Sequence, residues 1–548
     1  MRLFKILALT GLVAMAATAC ADLEVTNLND PDRQRAITTP GDVETLIAGA
    51  FTNWWAVAHY SYPSCALAVA ADSHSSSWGN WGMRDSGWEP RKPFNNDPAY
   101  SYSGLAENPW GDSYAALAGV RDGLAAINDG IVITEAGVDV TQRAVAFGKL
   151  TQAMALSNLA VLYDQAFIVD ENTDLEALEF VTYDQVWAGA LEKFAEAISI
   201  AQSNSFTIPD PWVGMGVSWT SSEFAAMAKA FRARYRLQIG RTPAEQPDWN
   251  AVLADMTPGI PFEYSPYDDN TTAFWGRDKL HCAGIDGWAR MDNRTLGPAD
   301  VSGNWEIWIN AGPDDKLPFD ITTPDSRITE PMQPQTDGSL FAYYGNSPFP
   351  RSRGIYHFGH YVDTRYNSIW QSGYTGNYDD YMFSEQDLIR AEAMYMTGDI
   401  EGAKAIVNQY RANGGLPPFV TQANPDGEDM CVPQMPNGSC GDLFEALKYE
   451  KRIECFHNSF VVEFTDDRRW GDLVEDTFLQ LPVPGSELLL LIMDIYTFGG
   501  PGNGAVGGGV TPDIINDFSP EALSVKRQAL ERYNDARERP NSFSKTFH

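Results

Sequence analysis

Residues 384–413 constrain the fold more than any other stretch of this chain. Ser384 caps a helix running to about Thr397, Gly398-Asp399 turns the chain, and a second helix follows over 400–413 until Gly414-Gly415 stops it. Ala391, Ala393, Gly398 and Ala403 are small packing positions on this pair. Two helices of this length cannot bury their apolar faces on each other alone. They must stack on further helices, which is the logic of tetratricopeptide repeats.

The first half supplies such helices. Thr39-Pro40 is an N-cap followed by a first-turn proline, and Val43, Ile47, Ala50, Phe51 and Trp54 recur behind it at helical spacing. Further helices are expected over 110–128, 141–164, 182–203, 222–239 and, briefly, 249–256. The one over 141–164 is dense in small residues such as Ala144, Gly148, Ala153 and Ala160, which permits close helix contact. Thr182-Tyr-Asp-Gln185 reads as a capping box. From about 259 to 380 the regularity breaks into Gly, Pro, Asn, Asp and aromatics, with short β-like runs such as 305–310; long ordered excursions of this kind usually carry function. Helices return over 384–413 and 442–458, and Ser519-Pro520-Glu521 caps a last one to about Glu538. The apolar run 488–495, interrupted by Asp494, reads as a buried helix or strand, and 499–509 as a loop. The expected fold is mainly α: a tetratricopeptide-like superhelix of helix pairs with a long loop-rich region.

The first twenty residues read as an export signal. Arg2 and Lys5 form a basic start, 6–17 an apolar stretch too short to span a bilayer, and Ala17-Thr18-Ala19-Cys20 a cleavage site ending in cysteine. Cys20 would then carry a lipid, with polar 21–35 leading into the fold as a tether. A net charge of −34, from 73 acidic and 39 basic residues, excludes a nucleic-acid surface and argues against docking flat on anionic lipid. Hydrophobic content of 44% is that of a packed protein. Cys431 and Cys440 flank a Pro/Gly loop that can close on a local disulfide in an oxidising compartment, whereas Cys455 reads as a buried thiol. None of the cysteine spacings is a zinc pattern.

Trp78, Trp81, Trp88, Tyr100 and Tyr102 fall within one non-periodic segment beside Asn80, Arg84 and Asp85. Flat apolar sugar faces with polar rims stack on exposed Trp or Tyr while neighbouring polar groups direct hydrogen bonds. Trp275, Trp288, Trp305 and Trp308 form a second cluster. Either set can instead anchor a loop to the scaffold, since large aromatics are mostly buried. Glu450, Arg452, Glu454, Arg468 and Arg469 read as a charge network bracing the last repeat. Asp379-Asp380 and Asp466-Asp467 lack a calcium-loop pattern, and His74, His281, His357 and His360 lack a metalloprotease context. No catalytic motif, cofactor fingerprint or metal site is expected.

Several segments together resemble the SusD/RagB family of outer-membrane nutrient-binding lipoproteins. They are Cys20-Ala-Asp-Leu-Glu-Val-Thr-Asn with Pro31-Asp32; Asn108-Pro-Trp110 with Tyr114 and Asn128; the small-residue helix over 155–164; Asp387-Leu-Ile-Arg390-Ala391-Glu392-Ala393 through Gly398-Asp399, Asn408 and Arg411 to Gly415-Leu416-Pro417; and Glu450-Lys-Arg452-Ile-Glu454 followed by Asp467-Arg-Arg469-Trp470-Gly471. Lys451 stands where that family often has an Arg, and the middle third and 424–441 do not match it. The resemblance implies a signal peptide over 1–20, a tether over 21–38 and one SusD-like domain over 39–548, with scaffold over about 39–257 and 384–475 and loop-rich parts over about 258–383 and 476–548. It implies a cell-surface, lipid-anchored, non-enzymatic protein that passes an oligosaccharide or peptide to a SusC-type TonB-dependent outer-membrane channel. The ligand residues on this reading are Trp78, Asn80, Trp81, Arg84, Asp85, Trp88, Trp275 and Trp288. Two alternatives stand beside it: a secreted surface glycoside hydrolase, and a helical scaffold that binds only protein.

Overall fold

A computed structural model describes residues 39–76, 79–271, 282, 289–332, 338–345, 359–423, 431–458 and 461–501. The anchor, the tether and the expected helix over 519–538 lie outside them. The main helices are α1 (Pro40–His59), α2 (Ser61–Ala70), α3 (Met83–Ser86), α4 (Gly104–Asn128), α5 (Thr141–Leu162), α6 (Tyr183–Ser203), α7 (Ser221–Gln238), α8 (Trp249–Asp255), α9 (Asn304–Ile309), α10 (Phe383–Thr397), α11 (Ile400–Asn413), α12 (Leu443–Glu454), α13 (Val462–Trp470) and α14 (Gly485–Leu490).

Consecutive long helices pack pairwise, α1 on α4, α4 on α5, α5 on α6, α6 on α7 and α7 on α8. The stack then crosses from α8 to α10 and continues through α11 and α12, the superhelix expected from the helix pair over 384–413. Local signals start these helices. Thr39 with Asp42, Thr182 with Gln185 and Thr220 with Glu223 form capping boxes that satisfy first-turn N–H groups. Small residues set the spacing: a Cβ at Gly123 would meet Ile47 of α1, and one at Gly148 would stand 3.2 Å from Val120 and Leu124 of α4. Helix α5 is long and apolar enough by composition to cross a membrane, yet almost all of it is buried at the centre of the stack.

The loop-rich excursion leaves and re-enters this frame at one place. Tyr264 and Tyr381 form an antiparallel bridge, with the Tyr264 N–H donating to the Tyr381 carbonyl at 2.8 Å. Within the excursion Met291, Leu296, Ile321, Ile328, Phe341 and Tyr361 build a second core that includes Tyr449, Ile453 and Phe456. Residues 305–310 are not β-like: Gly303 at φ +86° and the Asp300 carboxylate, which accepts from the Trp305 N–H, start α9, and Trp305 and Trp308 are buried. The run 488–495 also departs from expectation. Only Leu488 is fully buried, while α14 ends at Leu490 and leaves Leu489, Ile492 and Ile495 exposed.

Candidate ligand-binding site

The segment between α2 and α4 folds into a shallow cradle. Gly79 leads into a single turn over Asn80–Gly82, where Trp81 has φ +55° and Gly82 φ +76°, and α3 follows. Asn80, Trp81, Arg84, Asp85, Trp88, Tyr100 and Tyr102 are all partly exposed. Arg84, Asp85, Trp88, Tyr100 and Tyr102 are linked by direct contacts. A Cβ at Gly79 would stand 2.8 Å from the Tyr102 hydroxyl, so glycine is what lets that ring lie over the turn. Tyr102 meets Tyr100 edge to face at 5.5 Å, and the Tyr100 hydroxyl donates to Asp85 Oδ2 at 2.6 Å. Arg84 Nε donates to Asp85 Oδ1 at 2.9 Å, and Lys92 Nζ stands 3.9 Å from the centre of the Trp88 ring.

Burial pushes the Asp85 carboxyl up, but hydrogen bonds from Tyr100, Arg84 and Trp88 together hold it below the usual carboxylate range. The same contact and partial burial raise the Tyr100 hydroxyl. Asp85 is therefore a fixed anion that orients donors around it. The arrangement brings partly exposed Trp and Tyr side chains, a guanidinium and an amide into one segment.

Buried charge holds the cradle in place. Arg91 donates to Asp72 Oδ2 at 2.6 Å, to the Ser86 and Ala70 carbonyls and to Thr477. Arg294 of the excursion reaches Glu89 at 2.7 Å, so the first aromatic segment and the middle third are joined from below. The strand His74–Ser75 pairs antiparallel with Arg290–Met291. A disulfide joins Cys65 of α2 to Cys282, and another joins Cys431 to Cys440 as the spacing suggests. The Cys65–Cys282 link spans 217 residues and has no local sequence signal.

The lip at the far side is α14 and the chain after it. Asn96 Nδ2 donates to the Val483 and Tyr496 carbonyls, and its Oδ1 accepts from the Gly485 N–H at 2.9 Å. Burial alone pushes the Glu487 carboxyl up to about 7. An unfolded Glu ionises near 4.5, so the folded state holds its proton longer and stability falls as pH rises from about 4.5 to 7. Glu487→Gln should stabilise the protein at pH 8 by about 1–2 kcal/mol, after discounting for partial exposure, and do nothing at pH 4. Urea unfolding at both values checks this; equal effects at the two would refute the assignment.

Trp78, Trp275 and Trp288 lie outside the described residues, as do His281 and His357. Trp305 and Trp308 belong to the core of the excursion, so those members of the second aromatic cluster are structural. The C-terminal charges brace the scaffold mainly through partners on other elements, with one pair at helical spacing: Glu450 and Glu454 accept from Arg327, Arg452 reaches Asp467, and Arg469 grips Glu392 and, three residues back on its own helix, Asp466. Asp466 is taken by Lys451 as well, and Asp380 by Arg234 and His59. Among the described residues no three His, Cys, Asp or Glu side chains gather as a metal site. A separate cavity of about 350 Å³, lined by Gln202, Asn204, Ser222, Lys229 and Thr257 among others, has no aromatic wall.

Comparison with family models returns no match, and neither does comparison with curated proteins. Solved structures are different. A SusD superfamily protein from Bacteroides thetaiotaomicron aligns with a TM-score of 0.50 at 13% identity, covering 82% of this chain and 98% of its own. A laminarin-binding SusD-like protein aligns with a TM-score of 0.50 at 15% identity, over 85% of this chain and 100% of its own. The fold is SusD-like. At these identities the SusD-like backbone is shared while the side chains of the cradle are this chain's own. The helix-pair scaffold expected from 384–413 is thereby present over most of the chain.

Proposed function

We propose that the protein is a cell-surface lipoprotein, anchored through Cys20, that captures an oligosaccharide and delivers it to a SusC-type TonB-dependent outer-membrane transporter. The observation that carries the reading is the cradle: partly exposed Trp81, Trp88, Tyr100 and Tyr102 around the Arg84–Asp85 pair, on a SusD-like scaffold. Stacking faces beside fixed polar groups suit a neutral sugar chain better than a peptide, whose binding would need a strand edge or an apolar groove. The laminarin-binding SusD-like protein shares this fold, which makes laminari-oligosaccharides the first ligands to try. Asp85, held as an anion by Tyr100, Arg84 and Trp88, is suited to orienting hydroxyl donors of a bound sugar.

Calorimetric titration of the detergent-solubilised chain against laminari-, malto- and xylo-oligosaccharides and peptides, with product analysis, tests it. One intact glycan is expected to saturate a single site, and Trp81→Ala to weaken it about tenfold or more. Cleaved product would replace this reading with the hydrolase, and binding untouched by Trp81→Ala would move the site elsewhere.

A further inference from the structure

Trp81 is held in a conformation it would not choose. At φ +55° it occupies the left-handed region, which an aromatic residue enters only when its surroundings over-determine the backbone. Part of those surroundings is a small buried cluster. Cys65, Val69, Met83 and Cys282 form a separate buried cluster, and Trp81 is the partly buried side chain packed against it. Three of the four come from α2 and α3, beside Trp81 in sequence. Cys282 comes from the excursion and joins the floor through its bond to Cys65.

From these contacts we propose that the Cys65–Cys282 disulfide is a positioning element for Trp81, and that forming it sets the ligand affinity of the cradle. The second clause rests on the reading of the cradle as the ligand site; the first does not. The geometry separates this role from general bracing. The excursion is tied to the same floor a second time, where His74 pairs with Met291 and Ser75 with Arg290, and a third time where Arg294 meets Glu89. Opening the disulfide removes the tether under Trp81 and leaves the other two. Val69, which also packs against Gly87 (a Cβ there would stand 2.7 Å from Val69 Cγ1), then loses a neighbour, and the turn Asn80–Gly82 is free to relax toward negative φ. Chemically, a dithiol reductant supplies two electrons and two protons: the S–S bond breaks, Cys65 and Cys282 become thiols, and the reductant closes to its own cyclic disulfide.

The test compares the full chain with Cys65→Ala/Cys282→Ala, using Cys431→Ser/Cys440→Ser as control. Disulfides quench an adjacent indole, so the Trp81 emission, taken as wild type minus Trp81→Phe, should rise in the first variant and become accessible to acrylamide. It should not change in the control. For the glycan that wild type binds, affinity should fall about tenfold or more in the first variant and stay within twofold in the control. If the first variant does not fold, mild reduction of folded wild type by dithiothreitol, with thiol labelling of Cys282 read by mass spectrometry, gives the same comparison. An unchanged Trp81 signal overturns the positioning role whatever binds. A changed signal with unchanged affinity overturns the link to binding, and wild type that binds no glycan overturns the cradle reading while the fluorescence still decides the clamp.

Discussion

Arg234→Met is expected to destabilise the protein by about 3–5 kcal/mol, because it leaves two buried carboxylates without their cation. Arg234 of α7 is fully buried and donates to Glu385 at 2.8 and 2.9 Å, to Asp380 Oδ2 at 2.8 Å and to the Asp380 carbonyl at 2.7 Å. Its guanidinium also lies 4.2 Å from the centre of the Tyr381 ring, and His59 at the end of α1 takes the other Asp380 oxygen at 2.9 Å. Four parts of the chain therefore meet at one cation: α1, α7, α10 and the point where the excursion rejoins the scaffold. Burial pushes the Asp380 carboxyl up, but Arg234 and His59 more than reverse this and leave it below its ordinary value. A carboxylate lowered by folding contributes stability above its unfolded pKa, and that contribution is lost as pH falls through the folded one. In the variant burial is opposed only by His59 at Asp380 and by the more distant Lys451 at Glu385, so both carboxyls take up protons more readily. The gap between wild type and Arg234→Met should be widest at pH 7 and narrow toward pH 4. Urea unfolding across that range reads it, and a loss under about 1 kcal/mol at pH 7 would refute the hub.

Arg468→Met should be comparably damaging for a different reason. Arg468 of α13 is buried and donates to four carbonyls, those of Val161 at 3.0 Å, Gln238 at 2.5 Å, Gly240 at 3.2 Å and Leu479 at 2.6 Å. Arg241 does the same for Ala160 and Tyr163. Apart from that of Leu479, which follows α13, these are carbonyls at and just beyond the C-terminal ends of α5 and α7, which have no partners within their own helices and carry the negative end of each dipole. Burial, then the neighbouring Arg241, pushes the Arg468 guanidinium well below its ordinary value, so its charge is opposed by its position and retained by those oxygens. Removing it strands several buried acceptors at about 1–3 kcal/mol each before water re-enters, so a net loss of about 3–4 kcal/mol is expected. Arg468→Lys should recover part of it, because one ammonium cannot reach four acceptors. Thermal and urea unfolding of the two variants measure this, and equal losses would mean that only volume matters.

What could be read from residues alone followed the range of the interaction concerned. The helix pair over 384–413, the capping box at Thr182 and the Cys431–Cys440 loop are specified within a few residues of themselves, and each is present. The cap of the first helix differs: the helix starts at Phe383 with Met382 at its N-cap, so Ser384 lies inside the first turn rather than capping it. Residues 305–310 were misleading because Trp, Ile and Trp favour strands by type, whereas Gly303 and Asp300, just upstream, decide for a helix. The apolar run 488–495 suggested burial, yet Ile492 at φ +58° turns outward. The Cys65–Cys282 bond and the partners of Arg234 and Arg468 join residues tens to hundreds of positions apart, and no local pattern announces them. Of the proposed ligand residues, Asn80, Trp81, Arg84, Asp85 and Trp88 are partly exposed, and Arg84 and Trp88 meet at Asp85. What distinguishes Trp81 among them is its backbone, which composition does not encode.

The bridge between Tyr264 and Tyr381 brings the two ends of the excursion together where α8 meets α10. More than a hundred residues intervene, so the helical stack is continuous in space where it is interrupted in sequence. The excursion is nevertheless fastened to that stack by the Cys65–Cys282 bond, by the pairing of His74–Ser75 with Arg290–Met291 and by the core it shares with Tyr449, Ile453 and Phe456. A change of length within it must therefore leave those attachments in place.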